Sequence, residues 1–472
     1  MTRSHPLLVS GALLLVSVGP ASAQTTQSTI TQYQYDANGN LKQTTDPLGR
    51  ISDQFYDSLN RLARQVQPAP VVGAARPEIT YGYDLQGQLL TVKDPRNLTT
   101  TYVIDGLGNQ TSTISPDTGT ATATFDEAGN LKTSTDAKGQ TTRYDYDTLS
   151  RNTVISFHDG NSIRYSYDEG SNGLGRLTGV SDANGSIAYR YDAHGSLLGE
   201  TRVIGGVSFS TVYSYDAFGR LTSITYPSGR NVSYTRDALG RVSGIDTSKG
   251  GASQVLVAQV QYQPFGRVRS FNFGNGQPYV RSYDLDGRTD SYTLNNQKHV
   301  IAYDPASRIT GIAAPQVPAA DAIYGYDGLD RVTSMQSRVA NVDYGYDAVG
   351  NRTTSTNSGV ASTYVYGTTS NRLNQITGAQ AGAIGTDANG SILTKQGQTF
   401  AYDARGRMVS ATTATGVVHY RINALGQRVQ KITPSQTTTY HYDAAGKLIA
   451  ESGGTTLIEY VFLDDMPVAV LK

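Results

Sequence analysis

Aspartate recurs along this chain at positions where it could do chemistry. It stands in Y-D-x-x-G segments such as YDANGNL (35–41), YDAFGRL (215–221) and YDAAGKL (442–448). Such a row of carboxylates could bind cations or ligand hydroxyls. It could equally make tight turns, because Asp at the first turn position accepts a bond from a turn amide and Gly three residues later adopts the left-handed conformation. Asp36 and Asp46 stand three residues before Gly39 and Gly49, so we interpret the aspartates as turn residues.

The other residue types that support catalysis or metal binding do not cluster in the sequence. His158, His194, His299, His419 and His441 are far apart and none has zinc-ligand spacing. The segment 284–290 resembles an oxygen-rich calcium loop, but it has no Glu at the bidentate position, and Asp284 with Gly287 fits a repeat turn. The chain has no Cys, and its few Glu residues have no distinctive context. We therefore expect no catalytic, metal or cofactor-binding residue, and no enzymatic activity.

The turn aspartates recur mostly every 20–24 residues, which is typical of a repeat architecture. The clearest repeat turns are formed by Tyr-Asp pairs, in most cases with the Gly that follows. They are Tyr35, Asp36 and Gly39; Tyr83, Asp84 and Gly87; Tyr146 and Asp147; Tyr191, Asp192 and Gly195; Tyr215, Asp216 and Gly219; Tyr346, Asp347 and Gly350; Tyr402, Asp403 and Gly406; Tyr442, Asp443 and Gly446.

Each repeat reads as two strands joined by turns at both ends. Tyr pairs two residues apart, such as Tyr81 with Tyr83, place both rings on one face of a strand. A second turn, as in DPLG (46–49), reverses the chain again, which leaves strands of about 7–9 residues by this reading. No segment outside the N-terminus has a helical period. The sequence thus predicts an all-β array of antiparallel hairpins, and because long sheets twist, the array should coil into a spiral.

Composition and targeting signals narrow the classes of function. The 39 basic and 39 acidic residues balance to a net charge of zero, which argues against nucleic-acid binding. Residues 1–23 have the basic start, short apolar run and Ala-Ser-Ala site of a cleavable signal peptide. The run is too short for a membrane span, so we do not expect an integral membrane protein. The predicted organisation is signal peptide 1–23, a short tail 24–30 and a repeat array 31–472, in a periplasmic, extracellular or cell-surface protein.

The Y-D-x-x-G-R-L units resemble the YD repeats of the bacterial Rhs (rearrangement hotspot) family and its wall-associated relatives. Residues 440–472, with Tyr460, Leu463, Asp464 and Pro467, are similar to the segment that closes the Rhs core. The resemblance implies a spiral β-sheet forming a hollow or partial shell, as in toxin-complex C components and teneurins. In that family the shell can enclose a toxin cargo or present an adhesive surface. Asp464 and Asp465 belong to the closing segment rather than to the family's self-cleavage pair.

Three functions remain open on this basis. The first is an exported structural shell or scaffold, the core of a polymorphic toxin-type system without its own toxin tip, whose partner would be a cargo or a neighbouring shell chain. The second is a cell-surface module for carbohydrate binding or adhesion, with the Tyr and Arg rows stacking on glycans. The third is an enzyme acting on polysaccharide, which would need paired carboxylates outside the repeat pattern.

Overall fold

The computed structural model describes residues 29–264, 266–317 and 321–472. The predicted signal peptide, residues 1–23, and most of the predicted tail lie outside the described residues. The described chain forms 42 β-strands and no helix. Each strand pairs antiparallel with the strands before and after it, from β1–β2 to β41–β42. The prediction of an all-β array of antiparallel hairpins is confirmed.

The first fourteen strands are short, four to seven residues each. They are β1 Gln32–Tyr35, β2 Leu41–Thr45, β3 Ile51–Tyr56, β4 Leu62–Val66, β5 Glu78–Tyr83, β6 Leu89–Lys93, β7 Thr99–Ile104, β8 Gln110–Ser115, β9 Gly119–Phe125, β10 Leu131–Thr135, β11 Thr141–Tyr146, β12 Asn152–Ser156, β13 Ser162–Tyr167 and β14 Leu177–Asp182.

The next twelve strands include the longest ones, of up to 11 residues. They are β15 Gly185–Tyr191, β16 Leu197–Ile204, β17 Val207–Tyr215, β18 Leu221–Thr225, β19 Asn231–Arg236, β20 Val242–Lys249, β21 Ala252–Tyr262, β22 Val268–Phe273, β23 Pro278–Tyr283, β24 Thr289–Leu294, β25 Gln297–Tyr303 and β26 Ile309–Ala313.

The last sixteen strands continue the same up-and-down path to the C-terminus. They are β27 Ala322–Tyr326, β28 Val332–Ser337, β29 Asn341–Tyr346, β30 Arg352–Asn357, β31 Val360–Tyr366, β32 Leu373–Gly378, β33 Gly382–Thr386, β34 Ile392–Lys395, β35 Gln398–Tyr402, β36 Met408–Thr413, β37 Gly416–Ile422, β38 Arg428–Ile432, β39 Thr437–Tyr442, β40 Leu448–Gly453, β41 Thr456–Leu463 and β42 Met466–Leu471.

Most strands are shorter than the 7–9 residues expected from the sequence, so that expectation was wrong. The chain reversal takes more residues than the four of the turn alone. At the first turn the amide of Asp36 donates to the carbonyl of Asn40 (2.9 Å) and the amide of Gly39 to the carbonyl of Asp36 (3.1 Å). A reversal of this kind occupies five residues, and where both turns of a repeat are of this kind they take up about half of it.

The hairpin array has two edges. We call the edge with the turns from odd to even strands, where the Tyr-Asp turns lie, the YD edge, and the opposite edge the return edge. The array coils so that a first winding, β1–β20, lies against a second winding, β27–β42, with β21–β26 between them in the chain. At the start of the contact the amide of Gly328, on the YD edge, donates to the carbonyl of Pro70, on the return edge (2.7 Å).

The main hydrophobic core lies where the end of the chain meets the middle of the array. Val232, Ile245 and Val257, from β19–β21, are buried in one cluster with Val461 and Leu463 of β41. The last strand, β42, also contacts β21. Most strands outside this core are only half-buried, so they are stabilised largely by strand pairing and side-chain hydrogen bonds.

Candidate functional site: the seam between the windings

The repeat turn is held by its aspartate. In the first turn Oδ1 of Asp36 accepts bonds from the amides of Asn38 and Asn40, both at 2.9 Å, and Gly39 has a φ of 84°. Hydrogen bonds from Asn40 lower the pKa of the Asp36 carboxyl. The structure places the other predicted Asp residues, from Asp84 to Asp443, in equivalent reversals, each with its amide bonded to the carbonyl four residues on.

The position after the turn Gly is occupied by Arg or Asn in most repeats, and its contacts show why. Nε of Arg61 donates to Oδ2 of Asp57 (2.7 Å), and Asn40 makes the same contact with Asp36 (3.0 Å). The Arg61 guanidinium also lies over the Tyr83 ring of the next repeat, 4.7 Å from its centroid. The fifth residue of the turn, counted from Asp, therefore links its own turn to the following hairpin.

The tyrosine before each turn makes a second link between repeats. The hydroxyl of Tyr83 donates to the carbonyl of Leu62 (2.9 Å), and that of Tyr346 to the carbonyl of Val332 (2.8 Å). Eleven more tyrosines make the same contact: Tyr56, Tyr146, Tyr191, Tyr215, Tyr262, Tyr283, Tyr303, Tyr326, Tyr366, Tyr402 and Tyr442. We call this row the tyrosine ladder. It joins consecutive hairpins through side chains as well as through the sheet.

The YD edge of the second winding meets the return edge of the first along a line that we call the seam. At its first part Arg50 forms an ion pair with Asp330 (2.6 Å). Further along, Nη1 of Arg96 donates to the carbonyl of Ser370 (2.9 Å) and to Oδ1 of Asn371 (2.8 Å). The backbone amide of Asn371 in turn donates to Oδ1 of Asp117 (2.5 Å).

The middle of the seam continues with charged and amide side chains. Nδ2 of Asn389 donates to Asp136 (2.6 Å), and the ammonium of Lys138 lies 3.4 Å from Asp387. One repeat further, Arg405 pairs with Asp182 (3.3 Å). A cavity of about 430 Å³ opens beside this pair, with Asn184, His419 and Tyr420 among its lining residues.

The last part of the seam contains a buried polar cluster. Arg202 pairs with Glu200 (3.0 Å) and donates across the seam to Gln427 (2.6 Å), while the amide of Ala444 donates to the hydroxyl of Tyr213 (2.8 Å). Burial raises the pKa of Glu200, against the opposing effect of Arg202.

A buried histidine lies in the same cluster. Nε2 of His441 is 3.0 Å from the Ser452 hydroxyl, and its ring packs edge-on against Phe209 with centroids 4.5 Å apart. Burial, together with the nearby Arg202 charge, lowers the pKa of His441 to about 4. The imidazole is therefore neutral at physiological pH.

The end of the seam is closed by Glu459, which is 1% exposed. Its Oε2 accepts a bond from Nε of Arg230 (2.6 Å), and Ser228 donates to its other oxygen. The hydroxyl of Tyr226 donates to the carbonyl of Tyr460 (2.8 Å). The two sides of this contact are far apart in sequence, so the last strands of the chain fix the second winding to the first.

The structure divides the predicted turn residues between two environments. Asp347, Asp403 and Asp443, with their tyrosines and glycines, lie at the seam. The sets beginning with Tyr35, Tyr83, Tyr146, Tyr191 and Tyr215 lie on the uncovered YD edge of the first winding. Sequence reasoning passed over Glu200 and Glu459. A charged residue inside an apolar strand, as in LIEYVF (457–462), is the signal that could have indicated a buried partner.

The predicted closing-segment residues have distinct positions. Leu463 is 1% exposed in the main core, and the Tyr460 hydroxyl donates to Glu451 (3.0 Å). Asp464 lies at the turn between β41 and β42 with a φ of 52°, and Pro467 is an exposed residue of β42. Within residues 29–264, 266–317 and 321–472, no group of three or more His, Asp or Glu side chains is arranged to hold a metal ion. The same residues include no helix that is long and apolar enough to cross a membrane.

A long antiparallel ribbon, coiled so that its two edges meet, defines a YD-repeat β-shell. Two family models match this chain. The RHS repeat model matches residues 15–51, 35–70, 125–156, 172–203 and 211–252, and the teneurin YD-shell model matches residues 316–462. The resemblance to RHS and YD-repeat proteins that the sequence predicts is confirmed by both models.

Solved structures confirm the fold. The crystal structure of TcdB2-TccC3-Cdc42 matches with a TM-score of 0.76 and 17% identity, over 92% of this chain and 28% of that one. TcdB2-TccC3 without its hypervariable C-terminal region matches with a TM-score of 0.75 and 17% identity, over 92% and 27%. The chain thus spans little more than a quarter of the length of the chains that it matches. Among curated proteins, none matches in sequence.

Proposed function

We propose that this protein is an exported structural shell or scaffold, without catalysis of its own, that encloses or presents a toxin-type cargo. The observation that supports it best is the seam. It joins one ribbon edge to the other over the length of the second winding, which is how a thin β-sheet becomes a continuous curved wall. The predicted signal peptide at residues 1–23 supports export to the periplasm, the cell surface or the medium.

The cargo is the finer part of the proposal. One matched structure is of TcdB2-TccC3 without its hypervariable C-terminal region, and a shell of the same fold is suited to a variable partner. We infer that the partner of this chain is likewise a separate toxin-like domain or a neighbouring shell chain. We expect no cofactor and no nucleic acid among its partners.

The shape of the purified mature protein tests the scaffold role. Electron micrographs and small-angle scattering of residues 24–472 should show a hollow or strongly curved β-rich particle, with a radius of gyration well above the ~23 Å of a solid domain of this length. A compact solid particle would contradict the proposal. Co-expression with the reading frame next to its gene should then show whether a small domain is retained with the shell.

Glycan binding remains the second hypothesis. It has limited support, because guanidinium groups already cover many of the ladder tyrosines, as Arg308 covers Tyr326 at 4.7 Å. A glycan array probed with the mature protein tests it. Saturable binding that is abolished by substitution of exposed tyrosines such as Tyr33 and Tyr35 would favour adhesion over a plain shell. Release of products from cell-wall polysaccharide would be needed to support an enzyme.

A further inference from the structure

The uncovered YD edge of β1–β24 presents a row of apolar side chains at its turn tips. Eight of them are between 62% and 96% exposed. We call them the tip rim: Leu59, Leu85, Leu107, Leu149, Leu174, Phe218, Leu239 and Leu285. Successive hairpins are two strands apart, so neighbouring tips are spaced by about 10 Å, or a multiple of it where a tip is polar. Exposed apolar rows of this kind mark interaction surfaces.

The corresponding turn tips at the start of the second winding are covered. Leu329 and Val349 are only partly exposed there, because the return edge of the first winding lies against them, whereas Leu425 further along is 41% exposed. Gly328, next to Leu329, approaches Ala69 so closely that a Cβ would lie 2.0 Å from its carbonyl oxygen. The tip rim is therefore the uncovered continuation of an interface that the chain already forms with itself.

We propose that the tip rim is a dimer interface, in which two copies of this chain meet rim to rim around a two-fold axis. Such an interface places the same surface on both partners and requires it to be self-complementary. Leucine tips at regular spacing can interdigitate with an identical row. The net charge of zero leaves no long-range repulsion between copies. The proposal concerns the rim alone and does not depend on whether the shell holds a cargo.

A head-to-tail arrangement, in which the rim of one copy meets the return edge of another, is less suitable. The seam uses charged anchors on the return edge of the first winding, such as Arg50, Arg96 and Lys138. The return edge of the second winding has exposed Ser, Gly, Gln and Thr at most of the corresponding turns, including Ser358, Gln396 and Thr415, with the charged Arg338 at its first turn. Another copy could therefore reproduce few of the seam ion pairs with that edge.

The exposed area is sufficient for a stable dimer. A specific interface buries about 800 Å² of each partner, or about 100 Å² for each of the eight tips. Complete burial of one exposed leucine side chain removes an area of comparable size from water. Rim-to-rim contact over most of the winding would also bring the two curved walls together as halves of a larger shell.

The test is the association state of the mature protein. We expect light scattering and analytical ultracentrifugation to show a dimer at micromolar concentration. The triple variant Leu85→Ser/Leu107→Ser/Leu149→Ser should weaken dimerisation at least tenfold. Phe218→Ser/Leu239→Ser should do the same from another part of the rim. Val72→Ser, at an equally exposed apolar site on the return edge, is the matched control and should leave the dimer unchanged.

Cross-linking distinguishes the two arrangements, because the chain has no cysteine of its own. A single Leu174→Cys substitution, at the middle of the rim and therefore near the two-fold axis, should give dimers with a short bis-maleimide. In a head-to-tail assembly that single variant would stay uncross-linked, while a mixture of Leu107→Cys and Ser358→Cys would react. A protein that stays monomeric at 100 µM, that dimerises equally well in the tip variants, or that covers the rim only with another protein would overturn the proposal.

Discussion

At the scale of single residues, the aspartate of each repeat has one task. Its two carboxylate oxygens serve different partners, Oδ1 the turn amides and Oδ2 the Arg or Asn four residues on, as Asp57 and Arg61 show. In such a turn both carboxylate oxygens are bonded within the fold. The sequence could indicate this, because Asp and Gly at fixed spacing have few other uses. The role of the Arg was not apparent, since its second contact is with the next repeat.

His441 gives a prediction that belongs to this scale. Its pKa of about 4 in the folded protein lies below the usual 6.5, so the unfolded chain binds the proton more readily. Above pH 6.5 the neutral His441 makes its full contribution to the free energy of unfolding. As the pH falls from 6.5 toward 4, that contribution decreases by up to about 3 kcal/mol. His441→Phe keeps the packing on Phe209 and removes the proton site, so its stability should fall less over this range.

Urea unfolding at pH 7.5, 5.5 and 4.5 measures the difference between the two proteins. The turn carboxylates, many of whose pKa values are lowered, titrate mainly below pH 4. Their effect on stability is the same in the native protein and in His441→Phe. His194→Ala removes an exposed imidazole at a repeat turn and serves as the control. Parallel stability curves for the native protein and His441→Phe would show that His441 does not titrate in this way.

At the scale of elements, each hairpin is joined to the next by three kinds of contact: the strand ladder, the tyrosine ladder and the Arg-on-Tyr stack. Register shifts occur at the ladder tyrosines, for example between Gly345 and Tyr346, and they are the bulges that turn the ring toward the preceding repeat. The sequence predicted the paired strands and their order. It could not show the bulge or the hydroxyl contact, because both depend on the neighbouring hairpin being in place.

The tyrosine ladder can be tested within one strand. Tyr346→Phe removes the bond to Val332 and should lower the free energy of unfolding by about 0.5–1.5 kcal/mol. Tyr344→Phe, two residues earlier on the same strand, is the matched control, because no hydrogen bond from its hydroxyl is present within the described residues. Native-state hydrogen exchange should show faster opening of β28 and β29 in Tyr346→Phe only. Equal effects of the two substitutions would contradict a role for the ladder hydroxyl.

At the scale of the whole molecule, the seam converts a local array into a wall. Its partners lie 223 to 280 residues apart in the chain, as Arg405 with Asp182 and Arg50 with Asp330 show. A repeat sequence predicts coiling but not the length of one winding, which depends on the small twist added by each hairpin. This is why Arg230 and Glu459 could not be paired from the sequence, although Glu459 is an unusual residue in its strand.

Glu459 tests whether the seam stabilises the molecule. Glu459→Gln leaves the Arg230 guanidinium, 14% exposed, without its anion, and loss of one member of a buried pair costs about 3–5 kcal/mol. Glu78→Gln breaks the exposed pair with Arg64 and should cost no more than about 1 kcal/mol. Thermal unfolding and limited proteolysis of residues 440–472 measure both. The seam would have no stabilising role if the two variants behaved alike.

The seam has a further consequence for how such an array can change in evolution. In a simple solenoid each repeat contacts only its neighbours, so a repeat can be inserted or lost almost anywhere. Here each turn at the seam of the second winding contacts one particular turn of the first winding. One added hairpin between Arg230 and Asp330, a stretch that every seam pair spans, would displace each partner by a repeat, so that Arg96, Asp136 and Arg230 would all face the wrong turn. Within the stretch of chain that the seam spans, the number of hairpins is therefore as constrained as any side chain.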